Sequence, residues 1–342
     1  MRRIITLLAL VAGISVNAQD VIDNKYGKGI VNYEAKDGSY SVKFNIRMQN
    51  LFIAETDLDG DIKKEDISTN FFLRRARLKF GGFAFNPRIT YKMEIGLSNR
   101  DFAGADEFTR NADKMVLDAV VKWNFYKNWS LWVGQTKLPG NRERVISSQK
   151  LQFVDRSLLN SRFNIDRDQG IQLRNHHSVK GWVIREMFSI SQGQGRNQVT
   201  GNTNGFNYTG RVEFLPFGNF ASKGDYFGSD LKREENHKLS IGITYDFNDG
   251  AMFQRGQLGS LMSSPTNLST VFVDLMYKYR GWSVMSEYAN KTSPDPAAYG
   301  FDTFGNEIVT GYFYTGSAFS IQGGYLFQNN VEFAGRYTTV SP

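Results

Sequence analysis

The chain has 342 residues, with 41 Lys and Arg against 34 Asp and Glu for a formal net charge of +7, and it carries 14% aromatic residues, 33 Gly and no Cys. The absence of Cys excludes a disulfide-stapled fold and a thiolate-ligated zinc site. Beyond Ala18 no stretch approaches the roughly 18 uncharged apolar residues that a spanning helix requires, so any membrane crossing must be made by strands.

Met1 to Ala18 begins with Arg2 and Arg3, continues through an apolar run from Ile4 to Val16 and ends on Val16-Asn17-Ala18. This is the layout of a cleavable secretory signal, with cleavage expected after Ala18. Loss of Arg2 and Arg3 with the leader lowers the net charge from +7 to +5. Residues 19–40 read as an N-terminal periplasmic segment, and 41–342 as one patterned domain.

Strands are predicted at 41–54, 70–84, 88–99, 114–125, 129–138, 168–177, 180–191, 206–217, 237–248, 269–280, 281–292, 310–327 and 331–340, about 13 in all. In the first, Phe44, Ile46 and Met48 share one face and Lys43, Asn45, Arg47 and Gln49 the other. In the third, Ile89, Tyr91, Met93, Ile95 and Leu97 oppose Arg88, Thr90, Lys92, Glu94 and Ser98. A period of two with this contrast places one face in an apolar medium.

Connections come in two lengths. Tight ones include Phe85-Asn86-Pro87-Arg88, Tyr126-Lys127-Asn128-Trp129, Tyr279-Arg280-Gly281-Trp282 and Gln328-Asn329-Asn330. Long ones include 55–69, 100–113, 139–167, 192–205, 218–236, 249–268 and 293–309. Aromatics such as Trp123, Phe125, Tyr126, Trp129, Tyr277, Tyr279 and Trp282 crowd the strand ends, as at a membrane interface. A secreted β-sandwich also alternates, but the signal peptide, the loop asymmetry and the number of long strands in series favour an all-β transmembrane antiparallel β-barrel with short periplasmic turns and long outer loops.

Phe71 to Gly82 reads Phe-Phe-Leu-Arg-Arg-Ala-Arg-Leu-Lys-Phe-Gly-Gly, which sets Arg75, Arg77 and Lys79 on the face opposite Ala76, Leu78 and Phe80. Three cations about 7 Å apart repel one another unless water or an anion lies between them. Arg47, Lys92, Lys122 and Arg211 share the polar parity of their own strands, as do Lys43 and Lys278, and a wall of Arg and Lys suits anion passage. Glu94, Asp118, Glu213, Asp274 and Glu287 lie on that parity too, so the lining is expected to be mixed. Within 139–167, Leu151, Val154, Leu158 and Leu159 follow helical spacing. A short helix there is expected to fold inward, with Arg142, Arg144, Lys150 and Arg156 crowding a constriction.

The run Phe71 to Gly82, Val133-Gly134-Gln135-Thr136-Lys137-Leu138-Pro139, Phe153-Val154-Asp155-Arg156-Ser157, Asp166-Arg167-Asp168-Gln169-Gly170 and Glu332-Phe333-Ala334-Gly335-Arg336-Tyr337 resemble porins of the phosphate-selective O and P family, in the versions found in Bacteroidetes-like bacteria. The resemblance covers most of the mature chain. It implies a 16-stranded antiparallel barrel in the outer membrane, commonly a homotrimer, with an inward third loop and a basic lumen passing anions such as phosphate. The basic-lumen role carries over to Arg75, Arg77 and Lys79 on the strand and to Arg142 and Arg144 in the loop. About 13 strands and an end on Val340-Ser341-Pro342 lead to the expectation of two or three further C-terminal strands.

Other signals lead elsewhere. Asp57-Leu58-Asp59-Gly60-Asp61 opens like a calcium loop, but its Gly is at the fourth place and Ser68 stands where a bidentate Glu is required. His176 and His177 point to opposite faces of a strand, which opposes joint metal binding. No nucleophile motif surrounds His177 or His237, so an outer-membrane hydrolase is the weaker alternative, together with a structural surface barrel. Gly193-Gln194-Gly195 lacks the remainder of a nucleotide-binding motif. The sequence therefore predicts a passive, non-enzymatic porin for small anions, phosphate or polyphosphate among them, with a general nonselective porin as the alternative. No cofactor, metal or nucleic acid is expected, and the partners are the outer-membrane bilayer, anions in transit and copies of the chain itself.

Overall fold

The computed structural model describes residues 29–56, 67–102, 104–200 and 205–341. The leader 1–18 and the acidic run 57–61 lie outside the described residues. Fourteen strands form one antiparallel sheet in chain order: β1 (Val31–Glu34), β2 (Ser41–Thr56), β3 (Ile67–Ala84), β4 (Asn86–Gly96), β5 (Val116–Tyr126), β6 (Trp129–Lys137), β7 (Arg167–Val179), β8 (Trp182–Ser191), β9 (Asn207–Leu215), β10 (Lys238–Phe253), β11 (Leu261–Tyr279), β12 (Trp282–Thr292), β15 (Gly316–Leu326) and β16 (Glu332–Ser341). A small hairpin of β13 (Ala297–Phe301) and β14 (Glu307–Tyr312) stands between β12 and β15. Among the described residues, β1 and β16 are the two edges of the sheet.

All of the expected strands form, and three boundaries differ. β1 lies inside the segment expected to precede the barrel and pairs with β2, Val31 opposite Phe44. The expected long loop 249–268 is mostly strand, because β10 continues to Phe253 and β11 begins at Leu261. Asp249 and Arg255 are the only charged residues in that stretch, so little polarity contrast marks its alternation. The expected strand 310–327 is divided, its first residues belonging to β14 and the rest to β15.

The sheet is apolar outside and charged inside, the reverse of a soluble sandwich. On β9, Val212 is 50% exposed, whereas its neighbours Arg211 and Glu213 are 2% and 0% exposed. Ile243 and Tyr245 on β10 and Val271 and Val273 on β11 are likewise exposed, while Thr244, Asp246 and Asp274 are buried. An exposed apolar band around the whole sheet is stable only against lipid. At the tight-turn end this band carries aromatic pairs: Trp123 with Phe125 (5.6 Å), Trp182 with Phe214 (5.3 Å) and Trp282 with Tyr325 (4.8 Å between ring centroids). They form the girdle expected at a membrane interface.

Tight turns fix the register at that end. Lys180-Gly181 and Arg280-Gly281 both hold two successive positive φ angles (51° and 88°; 44° and 92°), the type I′ geometry whose twist matches the flanking strands. A Cβ on Gly281 would lie 2.6 Å from the Leu326 carbonyl oxygen, so only glycine fits.

Two connections meet inside the barrel wall. The third long loop, 138–166, enters from the long-loop end and carries helices α1 (Arg142–Val145) and α2 (Leu158–Phe163). The single helix expected across Leu151, Val154, Leu158 and Leu159 does not form: 151–157 is irregular, Leu159 is buried, and Val154 and Leu158 remain exposed. Two short helices let the loop bend against the wall, where Leu138, Leu159, Phe163 and Ile165 pack on Phe272, Ala289 and Ala318. Ile146 and Leu151 pack with Val183, Leu215, Phe220, Met276 and Met285.

The second inward connection, 216–237, was expected among the long outer loops. It joins β9 to β10 and therefore lies at the tight-turn end. It meets the third loop inside the barrel wall, where the Gly228 backbone N–H donates to the Lys150 carbonyl at 2.7 Å.

Candidate functional site

A cavity of about 1340 Å³ runs between the third loop and the inward faces of β3 to β9. Its walls include Arg75, Arg77, Lys79, Lys92, Lys122, Arg144, Arg156 and Arg211, eight of the eleven basic residues expected there. Arg47, Arg142 and Lys150 do not line it. Arg47 donates to Ser148 Oγ at 2.7 Å and Gln49 Oε1 at 3.3 Å, and the Lys150 ammonium sits 3.9 Å from the Phe227 ring centroid.

Arg142 is buried in an ion-pair network that fastens the third loop to the wall. Its Nε donates to Asp274 Oδ1 at 2.5 Å, and its Nη2 lies 3.4 Å from Glu213 Oε1 and 2.9 Å from Ser240 Oγ. Arg211 bridges the same two carboxylates at 2.6 and 2.8 Å. Arg185 reaches Glu213 at 3.1 Å and Asp225 of the inward 216–237 connection at 2.5 Å. Tyr226 Oη closes the network on Glu213 at 3.0 Å. Three guanidiniums thus face three carboxylates, so this half of the interior is tightly bound and nearly neutral. Register makes it possible: Gly242 stands opposite both Glu213 and Asp274, and a Cβ there would meet Arg211 Nη2 at 2.3 Å. The missing side chain opens a gap across β10 for the ion pairs.

A second group of charges lines the cavity. Arg77 pairs with Asp101 (2.5 Å) and Glu94 (3.1 Å), and Lys79 lies 3.7 Å from Glu94. Lys92 bridges Glu94 (3.1 Å) and Asp118 (2.8 Å). Arg167 reaches Asp118 at 3.2 Å, and Arg144 pairs with Asp166. Five cations share four carboxylates, which leaves little net charge.

Among the described residues, the inward cations without a carboxylate partner include Arg47, Arg75, Arg156, Lys122 and Arg174, and also Lys137, Arg196, Lys278 and Lys291, whose charged ends are held by backbone carbonyls. Arg75 Nη1 donates to Gln49 Oε1 at 2.6 Å. Arg156 donates to the carbonyls of Glu143 (2.8 Å) and Ile146 (2.9 Å). Burial, and then the Arg144 cation beside it, lower the Arg156 pKa to about 9, so it remains charged at neutral pH. Neutral partners fix these side chains without cancelling their charge.

The Asp166 anchor of the third loop persists to low pH. Burial raises its pKa, but the Arg144 and Arg167 guanidiniums outweigh burial and hold its carboxyl well below the usual range. A depressed folded-state value means that its hold on the loop is complete above the ordinary Asp pKa of about 3.9 and is lost only as pH falls through the lower value. Asp166 is therefore expected to contribute no loop-release step to single-channel conductance between about pH 6 and about pH 4. A step near pH 5 would contradict this anchoring.

The sequence reading overlooked Arg174, Arg185 and Trp132. Arg174 and Arg185 lie within strands it identified and on their inward parity, so counting by twos finds them. Trp132 is an aromatic on a polar face, which composition alone attributes to the lipid girdle.

An apolar outer face with an aromatic girdle, a charged inner face and an inward third loop define a porin-type transmembrane β-barrel of the outer membrane. The family model described as phosphate-selective porin O and P matches residues 42–325, more than half of the chain, and the chain belongs to that family. An uncharacterized protein of Aquifex aeolicus (strain VF5) is 24% identical over 274 residues, which is 72% of this chain and 66% of the relative. The chain thus spans just under two thirds of that relative's length. Solved structures similar to it include the outer membrane channel DcaP of Acinetobacter baumannii (14% identity, TM-score 0.40, 90% of this chain and 92% of that one) and a mutant of the Rh. blastica porin (13% identity, TM-score 0.40, 87% and 94%).

Proposed function

We propose that the protein is a passive outer-membrane channel for small anions, phosphate or polyphosphate among them. The observation that carries this reading is the set of inward cations without carboxylate partners, above all Arg75 and Arg156 on the cavity wall. A cation paired with a carboxylate presents a dipole to a passing ion, whereas an unpaired one attracts anions at long range and binds oxyanions by transient charge-assisted hydrogen bonds. Titrating inorganic phosphate into a chloride-conducting bilayer is expected to reduce the current in a saturable way. Undiminished chloride current at high phosphate would remove phosphate from the reading. The ion pairs of Arg77, Lys79, Lys92 and Arg167 favour a second reading, a general porin with weak selectivity, and that same unblocked current would support it. Assembly as a homotrimer belongs to the family reading, and cross-linking in native membranes that yields only monomer would oppose it.

A further inference from the structure

The geometry points to a separate anion-binding station built on Trp132, Lys122 and Arg174, for a small inorganic anion. It rests on the reading of the lumen as an anion pathway and adds to it a site with its own construction. Lys122 on β5 stands directly opposite Trp132 on β6, and Arg174 on β7 stands opposite Ser130, two residues along β6 on the same inward face. Adjacent strands thus bring one aromatic and two cations onto a single patch of the cavity wall, in the half of the barrel next to the tight turn between β5 and β6.

The contacts are specific. Lys122 Nζ lies 3.7 Å and Arg174 Cζ 3.9 Å from the Trp132 ring centroid. The indole is oriented by its Nε1–H, which donates to Ser130 Oγ at 3.1 Å. Arg174 is oriented in turn, donating from Nε and Nη2 to Gln172 Oε1 at 3.1 and 2.6 Å. Every one of these partners is neutral, and neither cation is in an ion pair among the described residues. A π face holds cations through its quadrupole but adds no opposite net charge. The patch therefore keeps both positive charges uncancelled, whereas the ion pairs elsewhere on the wall cancel theirs. Two cations gathered on one ring repel each other, and a mobile anion between them relieves that repulsion. An anion leaving the Arg75 and Arg156 region finds here a second weak site, and conduction is favoured by several weak sites over one strong one.

Iodide quenching of tryptophan fluorescence tests the station directly in the full-length protein. The other tryptophans, Trp123, Trp129, Trp182 and Trp282, are exposed on the outer wall, where detergent or lipid covers them, so the difference between wild type and Trp132→Phe isolates the lumen ring. Normalised to free tryptophan amide, the ratio of iodide to caesium quenching of that component is expected to rise about 25-fold, since one unit charge at about 4 Å in water enriches the anion about fivefold and depletes the cation by about the same factor. In Lys122→Gln/Arg174→Gln the iodide advantage should vanish, while quenching by neutral acrylamide stays unchanged and reports an intact, accessible ring. Equal quenching by iodide and caesium in wild type, or an iodide advantage that survives the double substitution, would overturn the site. Iodide enrichment at Trp132 in a channel without anion preference would uphold the site and sink the conduction reading. Anion preference with no enrichment would do the opposite.

Discussion

Replacing Arg142 with Met is expected to loosen the third loop around α1 and to raise single-channel conductance, with noisy transitions as that segment moves. Arg142 is wholly buried and holds Asp274 and Glu213, each likewise buried. Removing one partner of a buried pair leaves uncompensated charge and costs about 3–5 kcal/mol. The loop's apolar contacts remain, those around α2 with Phe272, Ala289 and Ala318 and that of Ile146 with Leu215, Met276 and Met285, and Glu287 still accepts from Asn141 and the Glu143 N–H, so the loop is loosened around α1 and not detached. Arg211 stays on both carboxylates and keeps the wall itself intact. A variant with the conductance and noise of wild type would show that the network does not hold the loop. Arg142→Lys separates charge from geometry, since a single ammonium cannot span both carboxylates and Ser240.

Exchanging Arg75 and Arg156 together for Gln should produce the largest loss of anion preference of any double substitution on the cavity wall. Each unpaired charge enriches a monovalent anion about fivefold at about 4 Å in water, and the two act on the same stretch of path. The matched control neutralises a pair: Arg77→Gln with Asp101→Asn removes equal and opposite charges and should shift the reversal potential much less. If the control shifts selectivity as far as Arg75→Gln/Arg156→Gln does, the distinction between paired and unpaired cations is wrong.

Much of this was legible in the residues. The two-residue period located the strands because charged and aromatic side chains alternate in most of them, and it failed at 249–268, where charges are sparse. The inward parity of Arg75, Arg77, Lys79, Lys92, Lys122 and Arg211 followed from the same period. Which of them would be neutralised did not, because Asp101 and Asp166 come from loops and cross-strand partners depend on register. Arg142 illustrates the same limit: the sequence places it among the constriction cations, and only the fold brings Asp274, far along the chain, against it. The position of 216–237 was readable, since connections alternate between the two ends and this one falls on the tight-turn side whatever its length. Phe272, Met276 and Met285, apolar residues on an otherwise polar parity, marked the wall against which the inward loop packs.

The most direct measurement is the reversal potential of the purified protein in a planar bilayer under a KCl gradient. Unpaired arginines on the cavity wall predict a potential of the sign set by chloride, one that moves toward zero in Arg75→Gln/Arg156→Gln. A potential at zero, or of the sign set by potassium, in the wild-type channel would contradict them.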